Sequence, residues 1–421
     1  MGGRRNPSPA ALQMTVPRIV FVNRFAWPDQ PATAQLLTDL SEGLAAAGES
    51  VVVLARRPPG ALLRQVRNGV NLVRVPATAF GKTNFFGKAI DYLVFLRKLR
   101  SALRAELRPG DIAVSMTDPP LLSSAVEPIA RERGARHVHW IQDIFPEVAA
   151  AVYESRLPMM MAGRRDQAWL RADACVVAGS DMAAFVRSRG VPPERIAVSE
   201  NWAPVGLAES NPSAWRQHHN LHGKFVVMYS GNIGRVHDFS AIVPLAAALA
   251  SDTRIVFVFV GNGPRRAELA KAVARHALPN VRFLPPQPIE RLSETLSAGD
   301  IHLITLRPGC EDFVFPSKLY GVAAVGRRAV VIGPKDNEAA RIVSWFGFGA
   351  AFTPRETDRI AGYLREAATN EESRLRLGRA AREFSRQRGQ LSHALAVWQP
   401  LLARLKPATA DAGPADLTSH A

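Results

Sequence analysis

The residues best equipped for chemistry fall in short stretches of the second half of the chain. Tyr229-Ser-Gly-Asn-Ile-Gly-Arg-Val-His-Asp238 contains Gly231 and Gly234, which let a backbone approach a diphosphate, beside Asn232 and the cationic candidates Arg235 and His237. Gly261-Asn-Gly-Pro264 and Phe283-Leu-Pro-Pro286, the latter carrying Leu284, each end an apolar run, and each alone reads as ordinary turn chemistry. The stretch Arg307 to Gly321 sets Glu311 ahead of Phe315-Pro316-Ser317-Lys318. Pro316 and Ser317 suit the first turn of a helix, whose free amide groups attract a diphosphate; Lys318 adds a cation there. An ionised Glu311 in the preceding loop would accept hydrogen bonds from sugar hydroxyls, although a loop acid by itself is usually only solvated.

These stretches need a scaffold that brings strand ends together. Short β-branched runs alternate with amphipathic helical patterns along the whole chain, which predicts parallel α/β architecture. Strands are expected at Ile19 to Val22, Val51 to Ala55, Ile112 to Ser115, His137 to Ile141 and Cys175 to Ala178. A second series is expected at Phe225 to Tyr229, Ile255 to Val260, Val281 to Leu284, Ile301 to Thr305 and Ala329 to Ile332. The reading is two doubly wound Rossmann-like domains facing across a cleft, residues 17–205 and 224–390, with 206–223 as a linker. A helical stretch from Glu372 to Leu405 is expected to close the fold, its residues 391–406 forming a C-terminal helix that could cross back to the first domain, and 1–16 and 407–421 are expected to be disordered. Ligands in such sheets bind outside the carboxyl ends of the strands.

Composition narrows the class. With 421 residues, 47% hydrophobic and 21% charged, the chain is long enough for two ordinary cores. No apolar run approaches the roughly 20 residues of a membrane span, and the N-terminus lacks a signal-like apolar region, so a cytoplasmic location is expected. Cys175 and Cys310 are the only cysteines and imply no disulfide framework. The net charge of +16 attracts phosphate-bearing partners, though an arginine-rich composition can also follow from genomic base bias. Basic residues are spread along the chain and match no nucleic-acid module, so no nucleic-acid partner is expected.

The order Ser-Gly-Asn-x-Gly-Arg, Val-Gly-Asn-Gly-Pro, Phe-Leu-Pro and Glu-x4-Pro-Ser-Lys-x-Tyr resembles glycosyltransferase family 4, in its bacterial cell-surface polysaccharide branch, from Pro17 to about Leu405. The resemblance implies the GT-B fold and a retaining enzyme without a metal or other cofactor. The nucleotide-sugar donor would sit mainly on the second domain and the acceptor mainly on the first. It places Glu311 against the donor sugar, Ser317 and Lys318 at the diphosphate, Leu284 in the base pocket, and Gly231 to Arg235 in the phosphate loop. On the acceptor side it points to Asp143 and Gln142 in His139-Trp-Ile-Gln-Asp143, and to Asn23 and Thr33 in the first loop. The chain departs from the family pattern in several places. Gly321 stands where the second acid usually holds the ribose, leaving Glu338 as a candidate substitute. Asn232 and His237 stand where an Arg and Lys pair is usual, with Arg235 as the replacement cation. The first loop reads Ala32-Thr33, and Gln142 replaces a His.

Finally, Phe80 to Lys88 leads into Asp91-Tyr-Leu-Val-Phe-Leu-Arg-Lys-Leu-Arg100. Phe85, Phe86 and Tyr92 with Lys88, Arg97, Lys98 and Arg100 suit a contact with an anionic membrane surface, peripheral on the inner face of the cell membrane; the same pattern also describes a core helix with a solvated basic face. Two alternatives to transfer onto a lipid-linked or glycan acceptor are a sugar-nucleotide epimerase of the same fold and a non-catalytic partner subunit of another glycosyltransferase.

Overall fold

The computed structural model describes residues 16–29, 31–76 and 85–407, the side chains of 85–89 excepted. The terminal segments expected to be disordered, apart from Val16 and Pro407, and most of Phe80 to Lys88 therefore lie outside the described residues.

The first half folds around strands β1 (Ile19–Val22), β2 (Val51–Arg56), β3 (Arg64–Arg67), β4 (Val70–Val75), β5 (Ile112–Ser115), β6 (Arg136–Ile141), β7 (Ala174–Val177) and β8 (Ile196–Val198). They form one sheet in the order β3-β4-β2-β1-β5-β6-β7-β8, parallel except where the edge strand β3 runs against β4. The second half uses β9 (Phe225–Ser230), β10 (Ile255–Val260), β11 (Val281–Leu284), β12 (Ile301–Thr305), β13 (Arg328–Ile332) and β14 (Gly349–Phe352), all parallel, in the order β11-β10-β9-β12-β13-β14. The central strands are buried along their length because helices cover both faces, which is why their sequences are nearly continuous Val and Ile. In each sheet the chain reverses its winding direction at one point, between β1 and β5 and between β9 and β12. A crevice opens at the carboxyl ends of those strands.

Three features depart from the sequence reading. The 206–223 segment contains the helix Ser213–His218, held because its Trp215 indole is fully buried beside Val226 and Met228. Strands β3, β4, β8 and β14 were not foreseen; β14 is Gly-Ala-Ala-Phe and has no β-branched residue to mark it. The helical stretch from Glu372 to Leu405 is two helices, Glu371–Arg388 and Leu391–Leu405, broken at Gly389 where Gln390 and His393 cap the second reciprocally.

The last helix packs on the first sheet. Trp398 is fully buried there, 5.1 Å from Trp140 and 6.1 Å from Phe21 between ring centroids, and Leu402 joins the same cluster. Truncating such an aromatic costs about 3–5 kcal/mol. A further cluster runs across both halves, joining Ile141, Ile144 and Trp169 to Ile304, Phe315 and Leu319, so the halves share apolar packing behind the crevice.

Candidate active site at the interdomain crevice

The second sheet supplies one wall. Chain leaving β9 turns at Gly231, whose φ is 122°, and its N–H donates to Val260 O at 2.9 Å; Gly261 N–H in turn donates to Leu284 O at 3.1 Å. A Cβ on Gly261 would overlap Gly231 O, so only glycine allows the two turns this approach. Beneath them Tyr229, fully buried, donates its hydroxyl to Asn232 O at 2.7 Å. Asn232 and Arg235 are exposed, while Gly234 is buried.

The helix Lys318–Ala324 begins at the β12 side of the crevice, with Ser317 as its N-cap residue and Pro316 buried before it. Lys318 keeps part of its stem exposed, but its Nζ is buried 3.6 Å above the Tyr229 ring, with no hydrogen-bond partner among the described residues. Burial holds the ammonium pKa well below the ordinary lysine range. A cation–π contact offsets part of that cost and leaves the N–H donors unused.

His237 was expected to supply positive charge, and the structure corrects this. The ring is buried, and Nδ1–H donates to Thr305 O at 2.7 Å. Burial, then the Lys318 charge, pushes its pKa down to about 3, so the imidazole is neutral at physiological pH and positions the loop as a hydrogen-bonding group. Arg235 places its guanidinium 5.8 Å from the Tyr153 ring of the first half. Nearer the turn are two arginines the motif reading passed over. Arg265 donates to His237 O at 2.9 Å, and Arg266 has a buried, unpartnered Nε beside Phe283. Their signal was the Arg-Arg pair directly after Gly261-Asn-Gly-Pro264.

Glu311 sits in the turn between β12 and Lys318, half-buried, with its Oε2 buried and without a hydrogen-bond partner. That turn lies against the first half: Ile144 N–H donates to Phe313 O at 2.8 Å, Val314 bridges Asp143, and Arg307 pairs with Glu154. The neighbouring Cys310 thiol is pushed up to about 11, mainly by burial, and both Glu311 and Asp143 act on it electrostatically. Glu311 and Asp143 therefore share one neighbourhood. Phe315 is buried, 5.5 Å from Tyr320, and Leu284 is half-buried at the end of β11.

The first sheet supplies the other wall. Asp143 opens onto the crevice but is crowded by protein atoms, and burial followed by the Asp118 carboxylate pushes its pKa up to about 6. Gln142 accepts from Asn201 Nδ2 at 2.9 Å and leaves its own Nε2 unpartnered; Asn23 is fully buried with Oδ1 unpartnered. Asn201 was not foreseen, because nothing in its local sequence marks it. Thr33 lies in the first turn of the helix Ala32–Ala46.

Glu338 does not serve the crevice as expected. Its Oε1 accepts from Ser180 N at 2.9 Å and its Oε2 from Asp181 N at 3.5 Å, so it caps the helix Ser180–Ser188 of the first half, beside an Arg341–Asp181 ion pair. Its carboxylate is thereby committed to positive amide dipoles across the interface. Gly321 faces Leu296 and Leu207, 3.4 and 3.5 Å from where a Cβ would stand. In the helix Phe85–Glu106, Tyr92 donates its hydroxyl to Pro120 O at 2.7 Å and so is tied to protein; Arg97 and Lys98 are exposed and Arg100 half-buried. Ile90 and Leu93 of that helix are 53% and 63% exposed. The side chains of Phe85, Phe86 and Lys88 lie outside the described residues.

Comparison with known proteins agrees with this arrangement. Residues 32–202 match the model of a glycosyl transferase 4-like domain, and residues 212–384 that of glycosyl transferases group 1. The chain is 30% identical over 185 residues to the protein of Escherichia coli (strain K12) named colanic acid biosynthesis glycosyl transferase WcaI, covering 42% of this chain and 45% of that one, less than half of the relative's length. It is 28% identical over 297 residues to glycosyltransferase WbjE of Pseudomonas aeruginosa, covering 66% and 71%. The structure of Anabaena HepE with UDP-glucose superposes with a TM-score of 0.70 at 16% identity, covering 92% of this chain and 99% of that one. Sucrose-phosphate synthase from Thermosynechococcus elongatus does so at 0.73 and 17%, covering 92% and 100%. With both of its halves matched by these domain models around two facing parallel sheets, the chain belongs to the glycosyltransferases of the GT-B fold.

Proposed function

We propose that the protein is a retaining, metal-independent glycosyltransferase that moves a sugar from a UDP- or GDP-sugar to a lipid-linked or glycan acceptor in cell-surface polysaccharide biosynthesis. One observation carries the reading: Lys318, whose buried ammonium has no hydrogen-bond partner among the described residues, and Glu311, a carboxylate with an unpartnered oxygen, lie at the two ends of one turn, and that turn bridges Asp143 of the first half. A diphosphate satisfies the first group and a sugar hydroxyl the second. HepE, a structural relative, was obtained with UDP and with UDP-glucose, which favours a UDP-sugar among the donors.

The leaving diphosphate gains negative charge as the sugar–oxygen bond breaks. Lys318, with Arg266 and Arg235 beyond it, stabilises that charge as pre-positioned donors, while Arg265 is held by Glu268 and His237 O. The helix Lys318–Ala324 has only 7 residues, so its dipole is secondary to these cations. Attack on the same face of the sugar lets the departing phosphate oxygen take the acceptor's proton, and no dedicated protein base is invoked. Glu311 orients the donor sugar; Asp143, Gln142 and Asn23 orient the acceptor. The exposed Ile90 and Leu93 with Arg97 and Lys98 bring the first domain to an anionic membrane surface on the cytoplasmic side.

The test is a panel of nucleotide-diphosphate sugars incubated with wild type and Glu311→Ala, scoring donor binding, hydrolysis and products. Donor binding with hydrolysis or transfer that falls at least a hundredfold in the variant, while the fold is kept, is expected. Identical behaviour of the two proteins refutes the assignment. Epimerised donor appearing without acceptor indicates the epimerase alternative instead.

A further inference from the structure

The first domain holds an arginine cluster that the transfer reading leaves unused. Arg24 follows β1, Arg56 ends β2 and Arg74 lies in β4, neighbouring strands whose carboxyl ends form one edge. Arg74 is 3% exposed, and among the described residues its Nε, Nη1 and Nη2 all lack a hydrogen-bond partner; Nε of Arg24 and of Arg56 is likewise buried and unpartnered among them. Opposing charge is short. Arg24 pairs with Asp118 at 2.8 Å and Arg56 with Asp29 at 3.3 Å, and Asp29 is the carboxylate whose field acts on Arg74. Among the described residues these three guanidinium groups therefore meet two carboxylates, while Arg67, over the same Trp27 ring at 4.7 Å, is paired with Glu42. Phe25 lies 4.5 Å from Arg24 and 5.4 Å from Arg56, and Trp27 lies 6.0 Å from Arg74; these rings supply faces but no acceptor atoms for the unused N–H groups.

A buried guanidinium without acceptors is strongly unfavourable unless something completes it, and its planar fork of donors matches phosphoryl oxygens. The side chains of Arg24 and Arg56 keep 40% and 29% of their surface, so an incoming anion meets them first and Arg74 lies beneath. The cluster also continues the acceptor wall. Asp143 follows β6, Asp118 follows β5, and Arg24 and Arg56 come next in the sheet order. Three strand spacings separate Asp143 from Arg56, ~14 Å at the usual distance between neighbouring strands, which leaves room for a sugar between a reacting hydroxyl and a phosphoryl group.

We infer that Arg24, Arg56 and Arg74 form a phosphoryl-binding subsite for the acceptor, which is accordingly a sugar carried on a phosphate or diphosphate and not a neutral glycan. That this subsite serves the acceptor rests on the transferase reading, but phosphoryl binding there is testable without turnover. Farnesyl diphosphate and glucose 6-phosphate are titrated calorimetrically into the full chain as wild type, Arg74→Met, Arg56→Gln and Lys318→Met. At least one probe is expected to bind wild type and Lys318→Met equally, and at least tenfold more weakly to Arg74→Met and Arg56→Gln. Binding of the prenyl diphosphate alone assigns a lipid carrier, and of the sugar phosphate alone a soluble one. Without ligand, Arg74→Met is expected to melt no lower than wild type, since a buried unpaired cation is removed; should it fail to fold, Arg56→Gln, on a part-exposed group, carries the test. The subsite is refuted if neither probe binds, if binding survives both arginine substitutions, or if it is lost in Lys318→Met. Failure of every nucleotide sugar to bind, with probe binding intact, overturns the transferase reading and leaves the subsite standing.

Discussion

Replacing Lys318 by Met should change the protein in two opposite directions. The Nζ lies buried above Tyr229 with no hydrogen-bond partner among the described residues, and burial depresses its pKa from the ordinary 10.5. The unfolded chain thus binds this proton more tightly than the native one, so the native state carries a penalty below pH 10.5 that disappears as pH rises above it. Removing the ammonium at neutral pH should raise the melting temperature of the ligand-free protein. With diphosphate present, the same ammonium supplies a charge-assisted hydrogen bond of about 1.5–3 kcal/mol, so its loss weakens binding about 10- to 100-fold. At a ligand concentration of 100 Kd the wild type gains about 2.7 kcal/mol; a tenfold loss reduces that to about 1.4 and a hundredfold loss to about 0.4 kcal/mol. Thermal unfolding of both proteins with and without UDP, alongside calorimetric titration, reads both effects. A variant that melts lower without ligand yet keeps the full UDP-induced shift would refute a donor-binding role for this lysine.

The remaining predictions concern the opposite wall, the interface and the metal question. Asp143 has its pKa raised from 3.8 to about 6, so its ionisation destabilises the native state above about pH 6 and this effect fades toward pH 4. Asp143→Asn should therefore melt higher at neutral pH and lose the inflection near pH 6 in the rate profile; an acid limb unchanged in the variant removes Asp143 from the acceptor side. A Cβ at Gly179 would overlap Glu338 Oε2, so Gly179→Ala should displace the cap and cost about 0.5–2 kcal/mol in denaturant unfolding, as a lost helix cap does. Combining it with Glu338→Ala should add little further, whereas fully additive losses would show that the two residues act separately. Dialysis against EDTA should leave sugar transfer unchanged; a tenfold loss restored by Mg2+ contradicts metal independence.

Much of the scaffold could be read before any coordinates, because burial on both faces forces the central strands into nearly pure Val, Ile and Phe runs. β1, β5, β10, β11 and β12 match their expected bounds residue for residue. What escaped had weak local signals. β4 alternates Val-Asn-Leu-Val-Arg-Val right after Gly69, β3 is the polar edge Arg-Gln-Val-Arg, and Gly389 divides two helices whose periodic patterns run together. In the crevice, the turn holding Glu311 and the start of the helix at Lys318 could be picked out by spacing. The neutral state of His237 could not, because it depends on Thr305, 68 residues away in sequence.

The sequence by itself determined the number of sheets, the central strands that build them and the short glycine turns and basic-acidic stretch from which a donor site could be drawn, since these follow from local periodicity and backbone freedom. Only the tertiary structure decided which charges remain unspent. Glu338 is taken by an amide group 158 residues away, while Lys318 and Arg74 are buried with no acceptor among the described residues. Whether a side chain is satisfied depends on groups brought to it from distant strands, and no local pattern encodes that sum.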